Sequence, residues 1–361
     1  MLEGIRILEV EGLGPGPFCG MTLADLGADV IVVHRREATG SAGVAERSVL
    51  DRGKRSIALD LKDAEDRAVF LKLAERSHGL IEGFRPGVME RLGLGPADLA
   101  AVNPLLVYGR MTGWGQDGPL AHAAGHDLNY ISLSGALWYA SPPGECPLTP
   151  PTLVGDIGGG ALYLALGLLS GIIRARATGQ GTVVDAAIVD GSAHMMNLLM
   201  AIRQAGGLSP ERGRSLLDGP HWSRSYRTSD GGYMSVQSLE PKFYAIFLGR
   251  MGLADDPELK SQFDKRQWPK QTERLAAIFA TRTRAEWTEL FRGTDACVAP
   301  VLTPDEAMAE PHVAARKVWQ TVDGVMQAAP APRFGGEAPR PPRPGAARDE
   351  HRAEILAGIT G

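Results

Sequence analysis

An α/β fold with a parallel sheet, followed along the chain by a smaller α+β segment, is predicted by three observations. Short apolar strands alternate with helical stretches through the first half of the 361 residues. A Gly/Pro turn, Gly12 to Pro17, separates the first strand from the first helix. The composition then shifts to a Gly-, Ser- and Arg-rich stretch at Gly206–Arg214, and again to a Pro- and Arg-rich stretch at Pro330–Pro344.

Taken in order, Ile5 to Val10 alternates toward a strand, and a helix is expected through Met21 to Leu26. Gly27-Ala28-Asp29 turns the chain into a second strand, Val30 to Val33. Further strands are predicted at Ser56–Leu61, Gly79–Phe84 and Leu105–Arg110, with a helix at Ala64–Arg76. A helix from Gly159 to Arg174 and a strand from Gly181 to Ile188 extend the pattern. Ser192 to Arg203 reads as one long apolar helix, and Gly206–Arg214 as a linker. A second segment starts near Ser225, with a strand pair at Tyr226–Ser238 and several helices. The Pro330–Pro344 stretch reads as an extended arm over another surface, and Glu350–Leu356 as a short terminal helix.

Composition narrows the function classes. A formal charge of −4 without a basic stripe argues against nucleic acid as a partner. Cys19, Cys146 and Cys297 are far apart, lack metal-ligand spacing and read as reduced thiols of a cytoplasmic protein. Met1 to Arg6 does not read as a secretory leader, and Gly358 to Gly361 is not a peroxisomal address. The apolar run Ala161–Ile173 is shorter than a bilayer span, so no membrane is expected.

The turn after the first strand begins like a dinucleotide fingerprint, but Pro17 stands where the last glycine belongs. The acid that would hold a ribose after the second strand is replaced by His34-Arg35-Arg36. Arginine there suits the phosphates of a nucleotide such as coenzyme A, or a solvated strand end. The basic loop Arg52-Gly53-Lys54-Arg55 leads into Ala58-Leu59-Asp60-Leu61, where cations could meet phosphates and apolar residues a base. Glu82-Gly83-Phe84-Arg85 marks a strand end with a glycine allowing close approach. Arg85 and Arg91 are further phosphate candidates or surface charges, and Trp114 is a pocket wall or a loop anchor.

Two proton-accepting groups of different type stand in glycine-marked settings: His126, in Gly125-His126-Asp127-Leu128-Asn129-Tyr130, and Asp156, in Val154-Gly155-Asp156-Ile157-Gly158. Such a pair suits removal of a proton on one side of a carbon and its return on the other, which is racemisation or epimerisation. The plainer readings are a hydrogen-bonded histidine at a helix start and an aspartate N-cap. A carboxylate at a helix N-terminus is in addition held ionised by the dipole. Glu240 ends a strand in the second segment, as an orienting group for His126 or as an exposed acid leading a helix. No metal-ligand cluster is present.

Together these motifs resemble the family III coenzyme A transferases, and within them the α-methylacyl-CoA racemases. The resemblance runs through Arg52–Lys62, Glu82–Gly87, Arg110–Gln116, Gly125–Tyr130, Val154–Gly160, Val184–Asp190 and Leu239–Tyr244. It implies a Rossmann-like large domain at 1–190 completed by 325–361, a linker at 191–224, a small domain at 225–305 and a return linker at 306–324. It implies an interlocked homodimer and an acyl-CoA thioester as substrate, with coenzyme A as part of that substrate and no other cofactor. His126 and Asp156 become the catalytic bases, with Glu240 supporting the histidine. Arg35, Ala58, Leu59, Asp60, Leu61, Glu82, Gly83, Phe84, Arg85, Arg91, Gly125, Asp127 and Tyr130 become the coenzyme A contacts. The transferases of the family use an aspartate matching Asp156 as nucleophile, which is the alternative activity. The stretch His221–Tyr226 departs from the pattern in lacking a tyrosine near Ser223.

Overall fold

The computed structural model describes residues 1–37, 47–338 and 341–360. The chain divides into two compact units. Unit 1 comprises residues 1–136, 150–195 and 310–361; unit 2 comprises residues 137–149 and 196–309.

Unit 1 is built on a six-stranded parallel sheet. Its strands are β1 (Arg6–Val10), β2 (Asp29–His34), β3 (Arg55–Ala58), β4 (Gly79–Glu82), β5 (Val107–Thr112) and β6 (Thr182–Ala187), in the order β3-β2-β1-β4-β5-β6. The central strands are buried almost throughout, as expected where helices cover both faces. The order reverses between β1 and β4, and in open α/β sheets ligands bind outside the carboxyl ends of the strands at such a point.

Helix α1 (Pro15–Asp25) starts earlier than its apolar pattern suggests. Pro15 and Pro17 carry the backbone angle that a first helical turn needs, and Gly14 at φ 66° makes the sharp entry. Helix α2 (Ala64–Glu75) is capped by Asp63, whose carboxylate accepts from the N–H groups of Glu65 and Asp66. Two short helices follow, α3 (Val88–Arg91) and α4 (Pro96–Val102), then α5 (Asp127–Leu133).

The expected helix at Gly159–Arg174 is longer at both ends. A π-helical turn, Leu153–Ala161, runs directly into α6 (Leu162–Thr178). The glycines at 158–160 permit the wider winding, which leaves the Ile157 N–H donating to the Thr152 carbonyl at 3.1 Å. This corrects the reading of a run too short to span a bilayer. By length and composition Leu153–Thr178 could cross one, with 44% of its most apolar window buried within the protein. On α6 the stripe Leu164, Leu168 and Ile172 packs into the aliphatic core, while Leu166 and Ile173 on the other face are exposed. The expected long helix at Ser192–Arg203 is also broken. It forms α7 (Ile188–Met195) in unit 1 and α8 (Asn197–Gln204) in unit 2.

The C-terminal segment closes the β3 edge with two side chains and one backbone bond rather than with a strand. Asp349 accepts from the Ala58 N–H at 2.7 Å, Arg352 donates to the Ala58 carbonyl at 2.8 Å, and the His351 N–H donates to the Ser56 carbonyl at 3.0 Å. An exposed edge is thereby blunted. Within the proline-rich arm, Arg343 donates to the Gly53 carbonyl; Pro339 and Arg340 lie outside the described residues.

Unit 2 holds a three-stranded antiparallel sheet of β7 (Ser223–Arg227), β8 (Tyr233–Gln237) and β9 (Val298–Val301). Helices α9 (Pro241–Arg250), α10 (Trp268–Phe279) and α11 (Arg284–Phe291) pack with it around an aromatic core. Tyr226 stacks on Phe279 at 4.9 Å, and Trp222, Trp268 and Trp287 are fully enclosed. The stretch Gly206–Arg214 is bound within this unit rather than being a free linker. Trp138 and Tyr139 donate to the carbonyls of Pro210 and Ser209, and Arg212 donates to those of Ala140 and Glu145.

Candidate active site

His126 is the N-cap of α5. Its extended backbone is held by its own N–H, which donates to the Asn129 carboxamide oxygen at 3.0 Å, and its ring is exposed. The turn before it is fixed by Tyr130, whose hydroxyl donates to the Gly125 carbonyl and whose ring meets Trp114 edge-on at 4.8 Å. Gly113 is required for this packing, because a Cβ there would lie 2.0 Å from the Tyr130 ring. Trp114 is therefore an anchor for the histidine turn, and Tyr130 a support as well as a candidate ligand contact.

Asp156 lies in the first turn of the π-helical segment, not at its N-cap, which is Thr152. Its carboxylate reaches the carboxyl end of β1, where a Cβ on Gly14 would stand 3.8 Å from Asp156 Oδ2. This is the β1/β4 reversal of the sheet. The dipole argument predicted a carboxyl held ionised, and the net shift is opposite. Burial, then the neighbouring Asp127 carboxylate, push Asp156 up to about 6, with His126 pulling the other way. A carboxyl near 6 can accept or give a proton near neutrality.

Asp127 has an internal side-chain role beside the expected ligand contact. Its side chain is turned into the protein, where Oδ1 accepts from the N–H groups of Gly155 at 3.0 Å and Asp156 at 2.9 Å. Sequence reasoning missed this, because nothing in the Gly-His-Asp spelling tells which N–H groups the carboxylate will reach.

The phosphate candidates separate into two sets. Every cation of the basic loop is already paired. Arg52 binds Asp25 at 2.5 Å, Lys54 binds Glu9 at 2.7 Å, and Arg55 binds Asp29 and Glu354 at 2.6 and 3.0 Å. The loop is a structural staple, which corrects its reading as a phosphate cradle. In contrast Arg35, Arg85 and Arg91 are exposed and form no ion pair among the described residues. Arg85 lies close enough to Tyr130 to act on its hydroxyl, which is also subject to Asp156; this links the β4 end to the candidate pair.

The Glu82 side chain shapes a turn. It accepts from the Phe84 N–H at 2.7 Å, beside Arg110 at 3.7 Å, and burial lifts it to about 7. That bond shapes the Gly83-Phe84-Arg85 turn, with Gly83 exposed and Phe84 half-buried. Ala58 and Leu59 are buried, Asp60 is exposed and Leu61 half-buried at the end of β3. Ala58 lines a cavity of about 520 Å³ together with Arg36, Arg348, Asp349 and Arg352. In unit 2, Glu240 is the exposed N-cap of α9, with Pro241 in its first turn. His221, in the stretch that departs from the motif pattern, is buried in the core against the Tyr244 hydroxyl at 2.7 Å. Among the described residues no group of three or more His, Cys, Asp or Glu could hold a metal ion.

Comparison with known proteins shows the family. The model of the CoA-transferase family III matches residues 2–351. The chain is 42% identical to alpha-methylacyl-CoA racemase of Mus musculus, over 99% of this chain and 92% of that protein. It is 44% identical to alpha-methylacyl-CoA racemase of Homo sapiens, over 86% of this chain and 80% of that protein. A crystal structure of a CAIB/BAIF family protein from Brucella suis superposes with a TM-score of 0.83 at 26% identity, covering 99% of both chains. The chain belongs to the CoA-transferase family III.

Proposed function

We propose that this enzyme inverts the α-methyl stereocentre of 2-methylacyl-CoA thioesters by two-base proton transfer. The observation that carries the reading is the tie through Asp127 that holds the Asp156 segment to the His126 turn, with Asp156 partly buried and lifted to about 6. His126 removes the α-proton from one face, leaving an enolate conjugated with the thioester carbonyl. Protonated Asp156 then delivers a proton to the opposite face, and in the reverse direction the two exchange roles. Identity to two racemases along most of the chain supports this substrate class. The coenzyme A portion is part of the substrate, and the reaction requires no other cofactor. Arg35, Arg85 and Arg91 are the cations available for its phosphates.

We further propose an interlocked homodimer located in the cytoplasm, acting apart from membranes and nucleic acid. The exposed Leu166 and Ile173 on α6 support burial against a second copy. Glu240 would support His126 in that assembly, a role resting on the family resemblance.

The second reading is coenzyme A transfer with Asp156 as nucleophile, which the family membership favours. Incubation with one enantiomer of 2-methylacyl-CoA in heavy water separates the two. Racemisation gives deuterium at the α-carbon together with the opposite enantiomer. Transfer moves coenzyme A onto an added labelled carboxylate and leaves the α-hydrogen in place; that outcome would sink the racemase reading.

A further inference from the structure

The carboxylate of Asp127 stands between the two segments that carry the proposed bases. Asp127 follows His126 directly, and its Oδ1 accepts from two successive N–H groups, Gly155 at 3.0 Å and Asp156 at 2.9 Å. These donors lie in the first turn of the π-helical segment, where N–H groups lack partners inside the helix. Asp127 is buried, with 6% exposure, so the bonds are shielded from competing water. Gly155 leaves the room they need, because a Cβ there would lie 2.4 Å from Asp127 Oδ1. The start of α5 and the start of the π-helical turn are thus joined at one oxygen.

We infer that Asp127 is a positioning residue for the proposed reaction, clamping the Asp156 segment to the His126 turn so that the two bases keep a fixed spacing across the substrate carbon. This rests on the racemase reading for its consequence, though not for the clamp itself. An ordinary helix cap would only add stability. A clamp between two reacting groups also sets their geometry, where an error of about 1 Å can cost on the order of 100-fold in rate. The negative charge has a separate effect, helping burial to raise Asp156. Around Asp156 the titratable groups that act on this shift are Asp127 and His126 from α5, with Tyr130 coupled to it. From the α1 side the turn offers Gly14. Helix α7, which packs on the same turn, carries Asp190 and His194.

Three variants of the full-length enzyme test the inference: Asp127→Ala, Asp127→Asn and Gly155→Ala. Amide hydrogen exchange reads the clamp without reference to activity. The N–H groups of Gly155 and Asp156 should lose protection in Asp127→Ala and Gly155→Ala, and regain it in Asp127→Asn, whose side-chain oxygen still accepts. With 2-methylacyl-CoA, kcat for inversion should fall about 100-fold in Asp127→Ala with a much smaller change in KM. Asp127→Asn should recover most of that loss. For the enantiomer whose α-proton Asp156 removes, its acidic limb should also move to lower pH, because removing a neighbouring negative charge lets Asp156 ionise more readily. Unchanged protection in Asp127→Ala overturns the clamp. Lost protection with unchanged kcat overturns its positioning role. Should Asp127→Ala fail to fold, Gly155→Ala decides: unchanged amide protection overturns the clamp, and lost protection with unchanged kcat overturns its positioning role. A wild-type enzyme that exchanges no α-proton refutes the racemase reading and with it the positioning role, while the amide protection still reports on the clamp.

Discussion

In unit 1, Glu9, Arg52, Lys54, Asp66, Glu82, Arg110 and Asp127 are all buried beside a core that is otherwise mainly aliphatic. In unit 2 the corresponding space is filled by Trp222, Phe247, Trp268, Phe279 and Trp287. The polar side chains buried there are neutral at pH 7: Ser215, His221, Ser223, Thr228, Ser238, Gln262 and Gln271, with burial pushing His221 down to about 3. Buried charge is costly unless it is paired and hydrogen-bonded, so its concentration in one unit calls for a reason. Around Asp127 and Asp156 the proposed reaction supplies one, because the same burial that costs stability raises the Asp156 carboxyl to about 6. Around Lys54 and Arg52 it is architectural, since these cations hold the loop before β3 against α1 and β1. Aromatic packing in unit 2 fixes a scaffold without perturbing protons.

The largest test of that contrast is on stability. Lys54→Met leaves Glu9 buried and unpaired, and urea unfolding should register a loss of about 3–5 kcal/mol. The loss should be greater at pH 8 than at pH 6. Burial already raises Glu9 from 4.5 to about 7, so in the folded state it takes up a proton as the pH falls, which relieves the unpaired charge. Phe279→Ala in unit 2 should cost a similar ~3–5 kcal/mol through its cavity, but with no such pH dependence. Equal pH dependence for both variants would erase the distinction between the units.

A smaller effect sharpens the division among the cations. Arg85→Ala should raise KM for acyl-CoA by about tenfold and lower kcat less, because a phosphate contact is made equally in ground and transition states. Affinity of the wild type for free coenzyme A should weaken with salt. Arg55→Ala should instead lower stability and leave KM nearly unchanged, since its guanidinium is bound by Asp29 and Glu354. A KM increase confined to Arg55→Ala would reverse the assignment.

The parallel sheet was legible because its strands are continuous apolar runs between turn residues, as at Val30–Val33 and Gly79–Glu82. The π-helical start at Leu153 was not, because glycine-rich sequence carries no apolar period from which to read a helix boundary. The break at Met196 escaped for the opposite reason, since apolar side chains continue across it. At the site, residue type and glycine setting single out His126 and Asp156 as candidates, and the fold places them on segments joined through Asp127. The direction of the Asp156 shift depends on Asp127 and on burial, both properties of the folded arrangement. The pairing of Lys54 with Glu9 spans 45 residues, and no local pattern distinguishes such a cation from one awaiting a phosphate.

The two-base account is tested most directly by single-turnover deuterium uptake from heavy water. Each enantiomer of 2-methylacyl-CoA is given separately to Asp156→Ala and to His126→Ala. The account predicts that the two variants fail on opposite faces, each losing exchange of one enantiomer's α-hydrogen by roughly 10²–10⁴-fold. Near-normal exchange of both enantiomers by either variant would contradict it.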